Sequence, residues 1–359
     1  MGGNKFWRNL YYVVMVGMRD PLVGYLGWHR RGNLGDDAIY DAVKAQVPAK
    51  FLDMPRFPIE VMASVATGLD RTLRGSTLVV GGGTLIGRRP WRKWVNRGMA
   101  LNRDSGNYAI GVGVEDPTFV GHKSDSDMGE LKNWLPVLSE FTTVSVRGPR
   151  SAELLSDIGL DVEVSGDPAL LLPRPDVVAE DGLIGVNVGF GDDLWGHDPA
   201  QLVEEMSSAV DQLSAQGYRF LGILMNRDDK KWTEQALGNV TAEIVHPADA
   251  NAAASEFARC SVVIASRLHA GILAALSETP TIVLEYQPKC RDFALSIDDE
   301  RSLIRTDEIS STAVVDRVGS TLADSSAIRT KTRDKVAGLQ RRLEGEYATL
   351  TRGLRLGGI

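Results

Sequence analysis

Arg267 and His269 stand two residues apart in the stretch Ser266-Arg267-Leu268-His269-Ala270. A guanidinium and an imidazole at that spacing can reach one small anion together. Histidine titrates near neutral pH, so His269 can also move a proton. An isolated Arg-x-His would more simply be a structural ion pair and a helix cap; the surrounding sequence argues for more. Upstream, Ser261-Val262-Val263-Ile264-Ala265 is an apolar run that reads as a buried parallel strand. Downstream, Gly271-Ile272-Leu273-Ala274-Ala275-Leu276 reads as a helix. In an open α/β sheet, ligands sit at such a strand-to-helix junction, and the unpaired N–H groups of the helix's first turn draw an anion further.

The elements that position this stretch repeat along the chain. Val23-Gly24-Tyr25-Leu26-Gly27 reads as a first strand, followed by the loop Trp28 to Asp37 and a helix from about Ala38 to Val47. Asp36 or Asp37 can cap that helix, and Gly32 and Gly35 let the backbone turn tightly and approach a ligand. The glycine spacing matches neither a dinucleotide fingerprint nor a phosphate-binding P-loop. Ser76-Thr77-Leu78-Val79-Val80 reads as a second strand ending in Gly81-Gly82-Gly83-Thr84, where glycines admit another molecule or backbone closely. Tyr108 to Val114 repeats the arrangement, and Val144-Ser145-Val146 leads through Arg147-Gly148-Pro149-Arg150 into a helix from Ser151 to Ile158. Strands and helices alternating in this way predict doubly wound parallel sheets.

Proline and acidic residues interrupt the pattern at Pro173-Arg174-Pro175-Asp176 and Glu180-Asp181-Gly182, which reads as a linker. The alternation then restarts with Leu183 to Val188 and the loop Gly189-Phe190-Gly191-Asp192-Asp193, an echo of Asn33-Leu34-Gly35-Asp36-Asp37. Asn226-Arg227-Asp228-Asp229 closes the strand Phe220 to Met225, and Lys289 follows the strand Thr281 to Tyr286. The expected division is an N-terminal domain over residues 1–175, a C-terminal domain over 176–330 and a charged helix over 331–359 that returns onto the first domain.

A chain of 359 residues is long enough for two cores. Its net charge of −7 argues against nucleic acid as a partner, because phosphate backbones select basic surfaces. Cys260 and Cys290, the only cysteines, are too few for a disulfide framework or a cysteine metal cluster. The apolar stretch Phe6 to Met18 is too short to span a bilayer and has no small-residue cleavage site, so a cytoplasmic protein is expected. Its aromatic, lightly basic character suits peripheral contact with the inner face of a membrane, and equally packing on its own domain or on a second subunit of a homo-oligomer.

Five motifs in order carry a family resemblance: Gly32-Asn33-Leu34-Gly35-Asp36-Asp37-Ala38-Ile39, Gly81-Gly82-Gly83-Thr84, Val146-Arg147-Gly148-Pro149-Arg150-Ser151, Gly166-Asp167-Pro168-Ala169 and Ser266-Arg267-Leu268-His269-Ala270. Each is weak alone, but the ordered set resembles the polysaccharide pyruvyl transferases over roughly residues 24 to 290. The resemblance implies an α/β fold of the GT-B kind, two Rossmann-like domains facing a cleft. It also implies phosphoenolpyruvate as a co-substrate, a saccharide or lipid-linked saccharide acceptor, a cyclic pyruvate ketal as product and phosphate released. It calls for no cofactor or metal. The N-terminal domain would take the acceptor and the C-terminal domain the donor.

On that resemblance Arg267, Leu268 and His269 occupy the family's functional Arg-Leu-His positions. Arg147 fits the family's arginine before Gly-Pro, and Lys289 matches a downstream basic residue, though it reads as readily as a solvated loop lysine. Arginine suits the donor carboxylate and lysine its phosphate. Asn33, Asp36, Gly82 and Gly83 are the expected substrate-binding positions of the first domain. His269 is the natural general acid, toward either the methylene carbon or the departing phosphate. Asp228 is the candidate base, with Asp36 or Asp37 behind it. Trp28 and the segment Trp91-Arg92-Lys93-Trp94 can stack on sugar rings or simply pack.

Two alternatives remain open on sequence. A glycosyltransferase using a nucleotide sugar would share the fold, but many such retaining enzymes carry two glutamates eight positions apart, and Glu278 and Glu285 stand seven apart. A non-catalytic binding protein would share it too, although Arg147, Arg267 and His269 are all present.

Overall fold

The computed structural model describes residues 21–102, 106–121 and 127–356. The aromatic stretch 6–18 lies outside them. Two parallel sheets run in succession. The first contains β1 (Leu22–Leu26), β2 (Lys50–Asp53), β3 (Thr77–Val80), β4 (Gly83–Ile86), β5 (Asn107–Val114), β6 (Thr143–Val146) and β7 (Glu163–Val164). Its order is β2-β1-β3-β5-β6-β7, with β4 pairing on β5. The second contains β8 (Leu183–Asn187), β9 (Arg219–Ile223), β10 (Glu243–Val245), β11 (Val262–Ala265), β12 (Thr281–Glu285) and β13 (Leu303–Arg305), in the order β10-β9-β8-β11-β12-β13. Helices cover both faces of each sheet, so the central strands are unbroken apolar runs: every residue of β3 and β11 is buried.

Local details differ from the sequence expectation. The first helix begins at Leu34, not Ala38, because the Asn33 side chain caps it by accepting the Gly35 N–H at 3.1 Å. That leaves Asp36 and Asp37 inside the first turn instead of at the cap. The glycine run after β3 turns at Gly83, whose φ is +99°, into the separate strand β4. Asp167 opens a short 3-10 helix, Pro168–Leu171, by accepting the Ala169 N–H at 2.9 Å.

The last helix, Ser325–Leu356, joins the two halves. Arg329 donates to the carbonyls of Glu278 and Ser261 in the second half. Farther along, Glu346 accepts hydroxyl bonds from Ser145 at 2.6 Å and Ser165 at 2.7 Å in the first. Leu339, Leu343, Tyr347 and Leu350 sink into the core beside Tyr108 and Ile110. Two further contacts bind the halves directly. The Leu34 N–H donates to the Met225 carbonyl at 2.9 Å, and Asp292 accepts from the Ser151 N–H at 3.1 Å and hydroxyl at 2.6 Å. No described helix is long and apolar enough to cross a membrane.

Candidate active site

The segments following β1, β3, β6, β8, β9, β11 and β12 meet around one cavity of about 440 Å³ between the halves. The carboxyl ends of both parallel sheets thus supply its walls, as expected where helix N-termini gather.

On the C-terminal side, Arg267 is the N-cap of the helix Leu268–Leu276, which has no side-chain cap; the Ala270 N–H turns back to the Arg267 carbonyl at 3.0 Å, and the Leu268 and His269 N–H groups donate to no side-chain cap. The Arg267 N–H is fixed by Asn187 Oδ1 at 3.2 Å. Its guanidinium donates through Nε (2.9 Å) and Nη2 (2.6 Å) to Asp229 Oδ1. Asp229 is fully buried and held in turn by Asn187 Nδ2 and the Asn226 N–H. Burial works against the Arg267 charge, and the Asp229 carboxylate more than offsets it, so its pKa is raised. Lys289 borders the cavity with Nζ 4.7 Å from the centre of the Tyr286 ring.

His269 packs closely against the backbone of Gly35. A Cβ at that position would sit 2.3 Å from His269 Nδ1, so the close approach of the two helix starts requires glycine. His269 Nε2 faces Asp167 Oδ2 at 3.6 Å, beyond hydrogen-bond length, and among the described residues neither atom has a hydrogen-bond partner. Burial opposes ionisation of Asp167, yet His269, Arg147 and the Ala169 N–H hold its pKa below the usual carboxylate value.

Arg147 is fully buried in the N-terminal wall, its guanidinium lying over Gly113, where a Cβ would come within 2.6 Å of Nη2. Among the described residues its guanidinium makes one hydrogen bond, a long one of 3.4 Å to Thr84 Oγ1. Asp167 and Asp292 stand 3.8 and 3.9 Å away, and Nε and Nη1 have no hydrogen-bond partner. A buried guanidinium whose donors are left unmade is costly unless the site is built to offer them to an anion.

Asp36 completes the polar wall. Asn33 Nδ2 donates to its Oδ2 at 2.6 Å, and its Oδ1 points toward Gly83. Burial pushes its pKa up to about 6, against the opposing pull of His269 and Lys289. The far end of the cavity is aromatic: Trp28, Trp91 and Trp94 line it, with Trp91 and Trp94 edge to face at 5.0 Å. Tryptophans lining a polar pocket suit a sugar ring.

A family model described as polysaccharide pyruvyl transferase matches residues 33–288. The chain belongs to that family. A search of curated proteins found no significant sequence match. Among solved structures it is similar to the UDP-GlcNAc 2-epimerase of Neisseria meningitidis bound to UDP-GlcNAc, with a TM-score of 0.59 and 12% identity over 92% of this chain and 100% of that one. A putative UDP-N-acetylglucosamine 2-epimerase of Listeria monocytogenes gives a TM-score of 0.56 and 12% identity over 87% and 90% of the two chains. Arabidopsis thaliana UGT89C1 complexed with UDP gives 0.50 and 12% over 97% and 95%. At such identities the likeness shows the fold, which is GT-B.

In this pyruvyl transferase family member the cavity gathers Asn33, Asp36, Gly83, Arg147, Arg267, Leu268, His269 and Lys289 from the residues expected on sequence. Two of the expected residues lie elsewhere. Gly82 packs on Ile39 in the core, and Asp228 is exposed at the start of the helix Asp229–Leu237, its neighbour Asp229 being the residue turned inward to Arg267. Glu278 and Glu285 pair with Arg174 and Arg291 and are not part of the cavity lining. Sequence reasoning assigned no role to Asp167, Asp229, Thr84 or Tyr286. Asp167 and Thr84 stood in quoted motifs, and Asp229 in the same acidic pair as Asp228; Tyr286 carried no signal beyond its place at a strand end.

Proposed function

We propose that this protein transfers the pyruvyl group of phosphoenolpyruvate to two hydroxyls of a saccharide, forming a cyclic ketal and releasing phosphate. The observation that carries the reading is the cationic pole of the cavity. Arg147 with unmade donors, Arg267, Lys289 and the uncapped helix start surround a space large enough for a compact anion bearing both carboxylate and phosphate. The tryptophan end of the same cavity supplies a surface for the sugar.

The chemistry follows from these positions. His269 delivers a proton to the methylene carbon, which becomes the methyl group of the product, and C2 becomes electrophilic. One sugar hydroxyl adds to C2 as its proton passes to a carboxylate. The C2–O bond to phosphate breaks, the second hydroxyl closes the ring, and its proton leaves with phosphate. The two hydroxyl protons thus balance the one gained by carbon and the one gained by phosphate. Asp36 takes the base role in place of Asp228, since a half-buried carboxyl with a pKa of about 6 can accept a proton near neutrality and Asp228 faces solvent. The mechanism draws on no cofactor: the cationic residues and helix start neutralise the phosphate.

The test is phosphate release from phosphoenolpyruvate by the purified protein, with and without a panel of saccharides and their lipid-linked forms, products identified by mass spectrometry. Acceptor-dependent release and a mass gain matching a pyruvate ketal are expected. Consumption of nucleotide sugars with no turnover of phosphoenolpyruvate would replace this reading with a glycosyltransferase.

A further inference from the structure

The helix Pro58–Thr67 is built the wrong way round for a surface facing only water. Pro58, Ile59, Met62, Val65 and Ala66 form its exposed side, with Ile59 71%, Met62 69% and Val65 62% exposed. Spaced three apart, these three large side chains make one continuous apolar stripe. The helix has one charged residue, Glu60, and it is turned away: its carboxylate accepts the N–H groups of Arg56 at 2.8 Å and Phe57 at 3.2 Å.

Cations border the stripe. Arg97 Nη1 donates to the Arg56 carbonyl at 3.0 Å, just before the helix starts, and Lys93 and Arg89 precede Arg97 at intervals of four on the helix Arg89–Leu101. Arg31 lies over Trp28 at 4.2 Å and over Phe57 at 5.7 Å. Among the described residues none of these four makes an ion pair, whereas Arg88 and Arg92 beside them are paired with Glu115 and Glu130. In a chain of net charge −7 these four cations form a local basic border. It is also continuous with the cavity, because the Phe57 ring packs 5.5 Å from Trp94, which lines the mouth.

We propose that this helix and its basic border seat the protein on an anionic lipid bilayer. The apolar stripe enters the boundary between headgroups and acyl chains while Arg31, Arg89, Lys93 and Arg97 meet lipid phosphates. The charge pattern favours this occupant over a second copy of the chain, since self-pairing on this face would bring like-charged borders together. Docking stands independently of the pyruvyl transfer reading.

The experiment is flotation of the full-length protein with phosphatidylcholine vesicles, with and without phosphatidylglycerol, at low and high salt. Wild type should bind the phosphatidylglycerol vesicles and lose that binding as salt rises. The double variant Ile59→Asp/Met62→Asp should weaken binding by about tenfold or more with an unchanged melting temperature, because the altered side chains touch water in the free protein. Arg89→Gln/Lys93→Gln should weaken it too and flatten the salt dependence. Should the aspartate variant fold poorly, Ile59→Ser/Met62→Ser replaces it. Vesicle binding that neither pair of substitutions changes, or no binding at all, overturns the proposal. So does a wild-type dimer that the helix variants convert to monomer while vesicle binding stays the same.

Discussion

His269 Nε2 and Asp167 Oδ2 face each other at 3.6 Å across the boundary between the two halves of the molecule. The histidine is carried by the helix after β11, and the aspartate lies after β7, so the pair exists only while the cleft is assembled. Asp167, held ionised by its surroundings, sets a negative charge opposite the ring from which the proton would be delivered.

Asp167→Asn should therefore lower kcat by roughly tenfold to a hundredfold, the worth of a charge-assisted contact. Donor KM should stay level or fall, because the change removes a negative charge beside Arg147. His269→Ala should lose about 100- to 10,000-fold in kcat while still binding phosphoenolpyruvate, and His269→Gln should not restore it, since an amide donates a hydrogen bond but transfers no proton at neutral pH. Steady-state kinetics on the folded variants checks all three. A raised donor KM with normal kcat in Asp167→Asn would assign that carboxylate to binding rather than to proton transfer.

Asp36 makes a prediction about both stability and rate. Its pKa in the folded protein is about 6, against an ordinary 3.8. Below about pH 4 the carboxyl is protonated whether the chain is folded or not. Between pH 4 and 6 the unfolded chain has released the proton and the folded chain still holds it, so stability falls as pH rises, by roughly 3 kcal/mol in total. Asp36→Asn cannot ionise and should melt at a higher temperature than wild type at pH 7, with the difference closing near pH 4. The wild-type kcat should show an acidic limb centred near pH 6, and the variant should be slow without that limb. An active Asp36→Asn with the limb intact would move the base elsewhere.

The sheets were legible because parallel strands covered on both faces must be unbroken apolar runs, and β3 and β11 stand out as such even in isolation. The meeting of three cations was legible too, since Arg147, Arg267 and Lys289 all follow parallel strands, and the carboxyl ends of the two sheets face one cavity. What escaped depended on backbone turns that residue type does not encode. Asn33, Asp36 and Asp37 are all good helix caps; Asn33 takes the cap, Gly35 packs against His269, and Asp36 is left in the cavity. Asp228 and Asp229 differ by one position at a helix start. The Asn226 N–H and Asn187 side chain, from two strand ends, select Asp229 for the interior. Contacts such as Ser151 with Asp292 join residues 141 positions apart and have no local trace.

Arg267 divides its donors between a structural partner and the cavity, and two substitutions separate these roles. Asp229→Ala leaves the guanidinium buried without its counter-charge and should destabilise the fold by about 3–5 kcal/mol, read as a lower midpoint in denaturant. Arg267→Lys keeps a positive charge near Asp229 but loses the fork of N–H donors. It should remain folded while donor KM rises roughly ten- to a hundredfold, as expected for the loss of one charge-assisted hydrogen bond to the substrate. Isothermal titration with phosphoenolpyruvate gives the same comparison without turnover. A folded Arg267→Lys that binds donor as wild type does would leave Arg267 serving Asp229 alone, and the anion would rest on Arg147, Lys289 and the helix start.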